Sequence, residues 1–297
     1  MTTATMPALP WRRMGWVTWR QHRPTLISVP ALFSAVALFL LFAGLKIHHD
    51  NALLTGCHPF SAARCQRLNR EFNGTDWTLA NTVLILLNLA PALIGAFAGA
   101  PVLARELETG TYRFAWTQGY GRTRWAIAKL ILIAATVTAA AGAFTLVFGW
   151  FFQPYLAQED LSVLSATVFD THGVAFAAWT LAAFAIGVLL GMLIRRTVPA
   201  MAVTLGVYYG LAVLTWLVLR KHYLPASVTS NPRVATGQLT STSPWVLGSW
   251  HTGGTQWWSY LPDSRFWPLQ WIESGWLLAL SVLLIAAAVG LVRNRAA

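Results

Sequence analysis

The sequence predicts an all-α integral membrane protein with six transmembrane helices and both termini cytoplasmic. Three observations carry this. First, 56% of the 297 residues are hydrophobic and 10% are charged, where a soluble domain carries about 25% charged residues. Too few charges remain to cover a water-facing surface. Second, the runs 25–45, 80–104, 130–152, 173–194, 197–219 and 274–292 contain no Asp, Glu, Lys or Arg. A helix rises about 1.5 Å per residue and needs about 20 residues to cross the hydrocarbon core. Each run has 19 to 25, and continuous Leu/Ala/Val-rich stretches are helices, not the short alternating strands of a barrel. Third, the charge is one-sided. With the N-terminus inside, the inner segments hold 13 bases and two acids, while the outer segments hold eight of each, so the whole net charge of +11 lies inside. That is the positive-inside asymmetry of a multi-pass protein of the cell membrane. It explains a pI near 10.5 with no nucleic acid as partner.

Residues 1–24 form a cytoplasmic N-terminal segment, and 25–297 a single transmembrane domain. Over 11–23 an interfacial helix is expected, because Arg12, Arg13, Arg20 and Arg23 fall in one arc of the helical wheel, with Trp11, Met14 and Val17 outside it and Trp16 within it. Such a helix serves as a surface for a partner subunit or as a plain topology anchor. The first apolar run exceeds the usual apolar region of a signal peptide, and no small-x-small site follows it, so it reads as a retained span.

The outer loop 46–79 holds the only two cysteines, Cys57 and Cys65, eight positions apart. Outside the cytoplasm such a pair is a disulfide candidate. The alternatives are a zinc site shared with His48, His49 or His58, or two free thiols. Span four ends at Arg195-Arg196 and turns at once into span five. The loop 220–273 carries Trp245, Trp250, Trp257, Trp258, Trp267 and Trp271. Trp257, Trp258, Arg265, Trp267 and Trp271 are candidates for an outer gate or substrate-contacting surface. The competing account is an aromatic belt at the outer headgroups. Arg265 is placed to pair with Glu273. Three pairs, Gly95/Gly99, Gly187/Gly191 and Gly206/Gly210, have the spacing that lets helix backbones approach. Packing within the bundle is favoured over a dimer interface.

The missing chemistry narrows the function. No acid or base lies within a span, which argues against ion- or proton-coupled transport. All seven His residues lie outside the spans, where a haem would want them inside. No phosphate-binding Gly-x-x-x-x-Gly-Lys-Ser/Thr loop, Gly-x-Ser-x-Gly elbow or His-Glu-x-x-His pair occurs. The chain is therefore expected to be no enzyme, to hold no cofactor or metal of its own, and to draw energy from a partner.

The inner loop 105–129 is the most informative stretch. Gly110 can end span two in the left-handed conformation. Residues 111–118 suit a short helix bearing Tyr112, Phe114 and Trp116, and Gly119 and Gly121 permit a sharp turn. Arg122, Arg124 and Lys129 would open the return helix at the inner headgroups. A short aromatic helix projecting between two spans is shaped to dock in a groove of another protein. Glu106 and Glu108 are the only acids on this face. Two carboxylates among so many cations predict specific partners, namely Arg105 or Arg113 in the loop, or a base on a partner protein. Their loss would then be nearly silent for folding.

Here the chain resembles the permease subunits of ABC-type exporters of the type-2 class, whose first inner loop reads Arg-Glu-x-Glu-x-Gly-Thr and continues to a basic residue and a Lys. Arg105, Glu106, Glu108, Gly110, Thr111, Arg122 and Lys129 match. The segments 262–273 and 16–23 resemble a high-GC bacterial branch of the class. The resemblance implies a loop that couples to a separate ABC ATPase subunit, which binds ATP and magnesium. It also implies a second permease subunit, identical or related, and a pathway for a hydrophobic or amphipathic substrate. The rivals are a membrane-anchored enzyme with its site in the outer loops, or a non-transporting membrane anchor or sensor subunit.

The topology is testable. Membrane-impermeant thiol reagents applied from outside should label single-cysteine probes at Ser61 and Thr240 and spare one at Thr117. Labelling at Thr117 would overturn the six-span arrangement.

Overall fold

The structure is a computed structural model in which residues 11–59, 62–110, 122–156, 162–235 and 244–294 are described. Six helices are long and apolar enough to cross a membrane. They are α1 (Trp11–Thr55), α2 (Ala63–Thr109), α3 (Arg122–Leu156), α4 (Ala175–Ile194), α5 (Thr197–His222) and α6 (Phe266–Asn294). They contain five of the six charge-free runs whole and the sixth, 173–194, from Ala175 onward, and the fold is an all-α membrane bundle. Successive helices alternate in direction. One end carries the loop after α2, together with Arg195, Arg196 and Arg293, and is called here the basic end. The opposite end carries a small sheet.

The segment expected to be an interfacial helix is helical, and a kink sets it off from the first span. α1 runs through it and breaks only at His22 (φ −112°, ψ 16°). The cause is Pro24, which lacks an N–H and crowds the carbonyl four residues back. α2 contains two π-turns, Phe72–Asp76 and Gly95–Gly99, and α5 contains one, Thr215–Leu219.

The second π-turn sits where α2 crosses α4. A Cβ on Gly95 would run into the Ala183 backbone, and one on Gly99 into that of Phe184. From the other side, a Cβ on Gly187 would strike the Gly95 carbonyl, and one on Gly191 the Ala100 carbonyl. Two of the three small-residue pairs therefore interlock within the chain. The third does not, because a Cβ at Gly206 or Gly210 would meet nothing within 4 Å. α4 is the hub, packed against α2, α3, α5 and α6.

The remaining core is aromatic. Phe33 of α1 packs on Phe144 of α3 and Phe176 of α4, with ring centroids 5.2 and 6.1 Å apart. Phe148 and Phe152 continue the column to His172 at 4.9 and 5.5 Å. At the sheet end, Lys46 of α1 reaches Asp76 of α2 at 2.9 Å and Asp50 at 2.7 Å. A disulfide joins Cys57 to Cys65, Cα atoms 5.7 Å apart, tying the end of α1 to the start of α2. Zinc would need thiolate ligands, and these sulfurs are bonded to each other. His48 is also engaged. Its ring stacks on Trp150 at 4.6 Å, and its Nε2 lies 2.9 Å from the Trp150 carbonyl oxygen, to which it donates.

The loop between α5 and α6 holds a feature the sequence reading did not anticipate. Strands β1 (Ser227–Thr229), β2 (Trp245–Thr252) and β3 (Thr255–Leu261) form an antiparallel sheet in the order β1-β3-β2. β2 and β3 make a two-residue hairpin at Gly253-Gly254, with φ of 60° and 79°. Positive φ at both central residues is the conformation whose twist matches paired strands, and glycine adopts it freely.

The α2–α4 contact predicts a contrast between glycines. Gly187→Ala should overpack the crossing and destabilise the purified protein by about 2–3 kcal/mol or more. Gly206→Ala, with open space around it, should stay within about 0.5 kcal/mol of the parent. Thermal unfolding in detergent measures both.

Candidate functional site

At the basic end, α2 carries Arg105, Glu106 and Glu108 on its last turn and stops at Gly110 (φ 72°, ψ 3°), a left-handed cap. The glycine ends the helix as its sequence position implied. Thr111 lies outside the described residues, and so does the expected short helix 111–118. Arg122 opens α3. Arg105 is exposed and borders a cavity of about 510 Å³ between the α1 kink and the end of α2, along with Gln21, His22, Phe97 and Glu106.

Neither glutamate pairs with Arg105, and Arg113 lies outside the described residues. Glu106 accepts a hydrogen bond from the Lys129 ammonium at 2.7 Å. Lys129 also donates to the Val102 carbonyl at 2.6 Å and lies 5.0 Å from the Trp125 ring. Lys129 is only 1% exposed. It is therefore not a headgroup lysine but a buried cation locking the start of α3 to the last turns of α2. Glu108 accepts from the Thr197 N–H at 2.9 Å and from its hydroxyl at 2.7 Å. It thus caps the N-terminus of α5, whose unsatisfied N–H groups and dipole favour a carboxylate. The turn before it is tight, with Arg195 at φ 59°. Glu106 and Glu108 together pin the base of the loop to α3 and to α5.

At the sheet end the aromatic candidates do not converge on one site. Trp267 and Trp271 are 55% and 62% exposed on the first turns of α6, a placement suited to an aromatic belt. Trp257 and Trp258 are half-buried on β3, paired across the sheet with Trp250 and Ser249. Arg265 is half-buried in the turn Asp263–Arg265 before α6.

Arg265 is not the partner of Glu273. Glu273 is fully buried and takes a bidentate pair from Arg220, Nε to Oε2 at 2.9 Å and Nη2 to Oε1 at 2.7 Å. The Trp179 indole N–H donates to the same carboxylate at 2.9 Å. Arg220 Nη2 also meets Asp170, and its guanidinium lies over the Phe169 ring at 4.3 Å. Burial pushes the Asp170 carboxyl up to about 7, with Arg220 pulling it down and Glu273 adding to the rise. Gln270 completes the junction, accepting from the Ala175 N–H at 2.8 Å and donating to the Phe169 carbonyl at 3.0 Å. This cluster joins α4, α5, α6 and the segment before α4. Sequence reasoning paired Glu273 with Arg265 and missed the cluster. The available signal was an arginine just past span five facing a glutamate just before span six, two charges that lipid would force to pair.

A family model described as ABC-2 membrane transporter related matches residues 30–220, well over half of the chain. No curated protein and no solved structure matches the chain significantly. The match includes the loop after α2, Lys129, Asp170 and Arg220, and stops before the sheet and Glu273.

The Lys129–Glu106 pair predicts an asymmetric pair of variants. Glu106→Leu strands a fully buried ammonium and should cost about 3–5 kcal/mol. Lys129→Met should cost less, because the Glu106 side chain keeps 21% of its surface exposed and can hydrate. The double variant should recover most of the loss in a thermal melt of purified protein.

Proposed function

The chain belongs to the ABC-2 membrane transporter related family, and from that premise we propose that it is the permease subunit of an ATP-driven exporter of the cell membrane. Both termini and the loop after α2 face the cytoplasm. That loop docks on a separate ABC ATPase subunit, which supplies the ATP and magnesium chemistry this chain lacks. A second permease subunit, the same or related, completes the pathway for an amphipathic substrate.

The observation that supports this most directly is the double clamp at the base of the loop. A loop that transmits force must not slide against the helices it drives. Glu106 on Lys129 and Glu108 on Thr197 tie its root to α3 and α5. A displacement of the loop by the ATPase therefore moves α2, α3 and α5 as one body and biases the bundle between two facing states. Arg105, Gly110, Thr111 and Arg122 frame the same loop. The wholly positive remainder of this face agrees with the positive-inside rule.

The test separates coupling from folding. Glu108 is exposed, so Glu108→Ala should leave expression and membrane insertion largely intact. It should weaken ATPase co-purification or ATP-driven transport at least tenfold. Gly110→Val should do the same, because a β-branched residue resists a positive φ. Normal insertion with full ATPase association and full transport in both variants would reduce the loop to a connector.

A further inference from the structure

At the sheet end, a cavity of about 100 Å³ opens between α2, α4 and α5, lined by Asn88, Asp170, Phe176, Trp179, Tyr208 and Tyr209. We propose that this cavity receives the ammonium head of an amphipathic organic cation. Such a cation would be the cargo of the exporter, so the word cargo rests on the function proposed above, while binding is a property of this subunit alone.

Three features select this ligand. The first is charge. Among the described residues, Arg220 is the cation that meets both Asp170 and Glu273. Above the raised titration point of Asp170, as at pH 8, two carboxylates against one guanidinium leave a single negative charge in excess beside the cavity. An unbalanced charge within a membrane bundle is costly and marks a functional site by default.

The second is the wall. Trp179 and Tyr208 meet edge to face at 5.6 Å, and Tyr208 and Tyr209 at 5.4 Å. Aromatic rings attract a cation through their quadrupole, most strongly where water is excluded. Trp179 and Tyr208 are nearly inaccessible, while Tyr209 is 38% exposed and stands at the mouth. An inorganic cation is poorly served here. Calcium asks for about six to eight oxygen ligands, and no group of three or more His, Cys, Asp or Glu residues able to hold a metal occurs among the described residues.

The third is size. At about 30 Å³ per water molecule, the cavity accepts a methylated ammonium and little more. The rest of the ligand must remain among apolar helix surfaces, where α5 exposes Val207, Val213 and Leu214. A small cationic head with an apolar body is the chemistry this geometry selects.

The experiment uses the purified chain in nanodiscs of zwitterionic lipid at pH 8. Dodecyltrimethylammonium is titrated in, and its uncharged-overall amine oxide of equal chain length serves as control. The cation should bind at least tenfold tighter than the amine oxide, and tetramethylammonium should compete with it. Asp170→Asn removes the excess charge yet leaves Arg220 with Glu273, and should weaken binding at least tenfold. Tyr209→Leu alters only an exposed ring and should weaken it several-fold without lowering the melting temperature. Equal binding of cation and amine oxide by the parent chain would overturn the proposal. So would parental affinity in both variants. A chain that binds the cation but recruits no ATPase would defeat the exporter assignment alone. One that recruits the ATPase but ignores the cation would defeat this pocket alone.

Discussion

Backbone meets backbone where α2 crosses α4, and the rest of the bundle is arranged around that contact. In lipid there is no hydrophobic force to press helices together, so close approach and polar pairing must do it. Gly95, Gly99, Gly187 and Gly191 supply the approach by having no side chain at the crossing. With α2 and α4 so close, most of α4 is buried, and its other sides pack against α3, α5 and α6. The π-turn Gly95–Gly99 falls at the same place. It adds a residue to one turn and so rotates the last turns of α2, with Val102 and Glu106, relative to the helix before Gly95.

Charge is distributed under the same constraint. A buried ion is tolerated only when paired and hydrogen-bonded. Lys129 is answered by Glu106 and a carbonyl at the basic end, and Arg220 by Glu273 and Asp170 at the sheet end. Each pair joins consecutive helices, α2 to α3 and α5 to α6, and each sits at an end of the bundle rather than at its middle. The two clusters are therefore the points at which helix ends are held in register. A bundle fastened at its ends by polar contacts and packed along its length by small and aromatic residues suits motion between two discrete arrangements.

The six spans were legible because a charge-free run of membrane length is a signal carried by every residue in it. The Gly110 cap was legible because one residue's φ decides it. The Lys129 pairing was not. Lys129 directly precedes a charge-free run, so hydropathy places it among headgroups, and its partner lies 23 positions away on another helix. Glu273 shows the same limit, since proximity in sequence suggested Arg265, whereas Arg220 lies 53 positions away. Helical phase decides the matter. Glu273 shares the buried face of α6 with Leu269, Gln270 and Leu277, and Arg265 lies in the turn before that face begins. The hairpin is a different kind of miss. Gly253-Gly254 between Trp-rich flanks is a recognisable turn signal, but the tryptophans drew attention to the membrane interface instead.

The placement of α5 links the two ends. Its N-terminus is capped by Glu108, which belongs to the loop that would feel an ATPase, and its C-terminus delivers Arg220 to the buried cluster. Tyr208 and Tyr209 lie between them on the same helix and line the cavity beside Asp170. A shift of α5 driven from the basic end cannot leave Arg220 unmoved, because the helix is stiff along its axis except at the π-turn Thr215–Leu219. That turn is where a displacement can be absorbed or passed on. Any change in the distance between Arg220 and Asp170 alters how fully the guanidinium neutralises the carboxylate. The affinity of the cavity for a cation would change with it, high when Arg220 withdraws and low when it closes in. In the proposed exporter, α5 would thus connect the position of the loop to the electrostatics of the cavity.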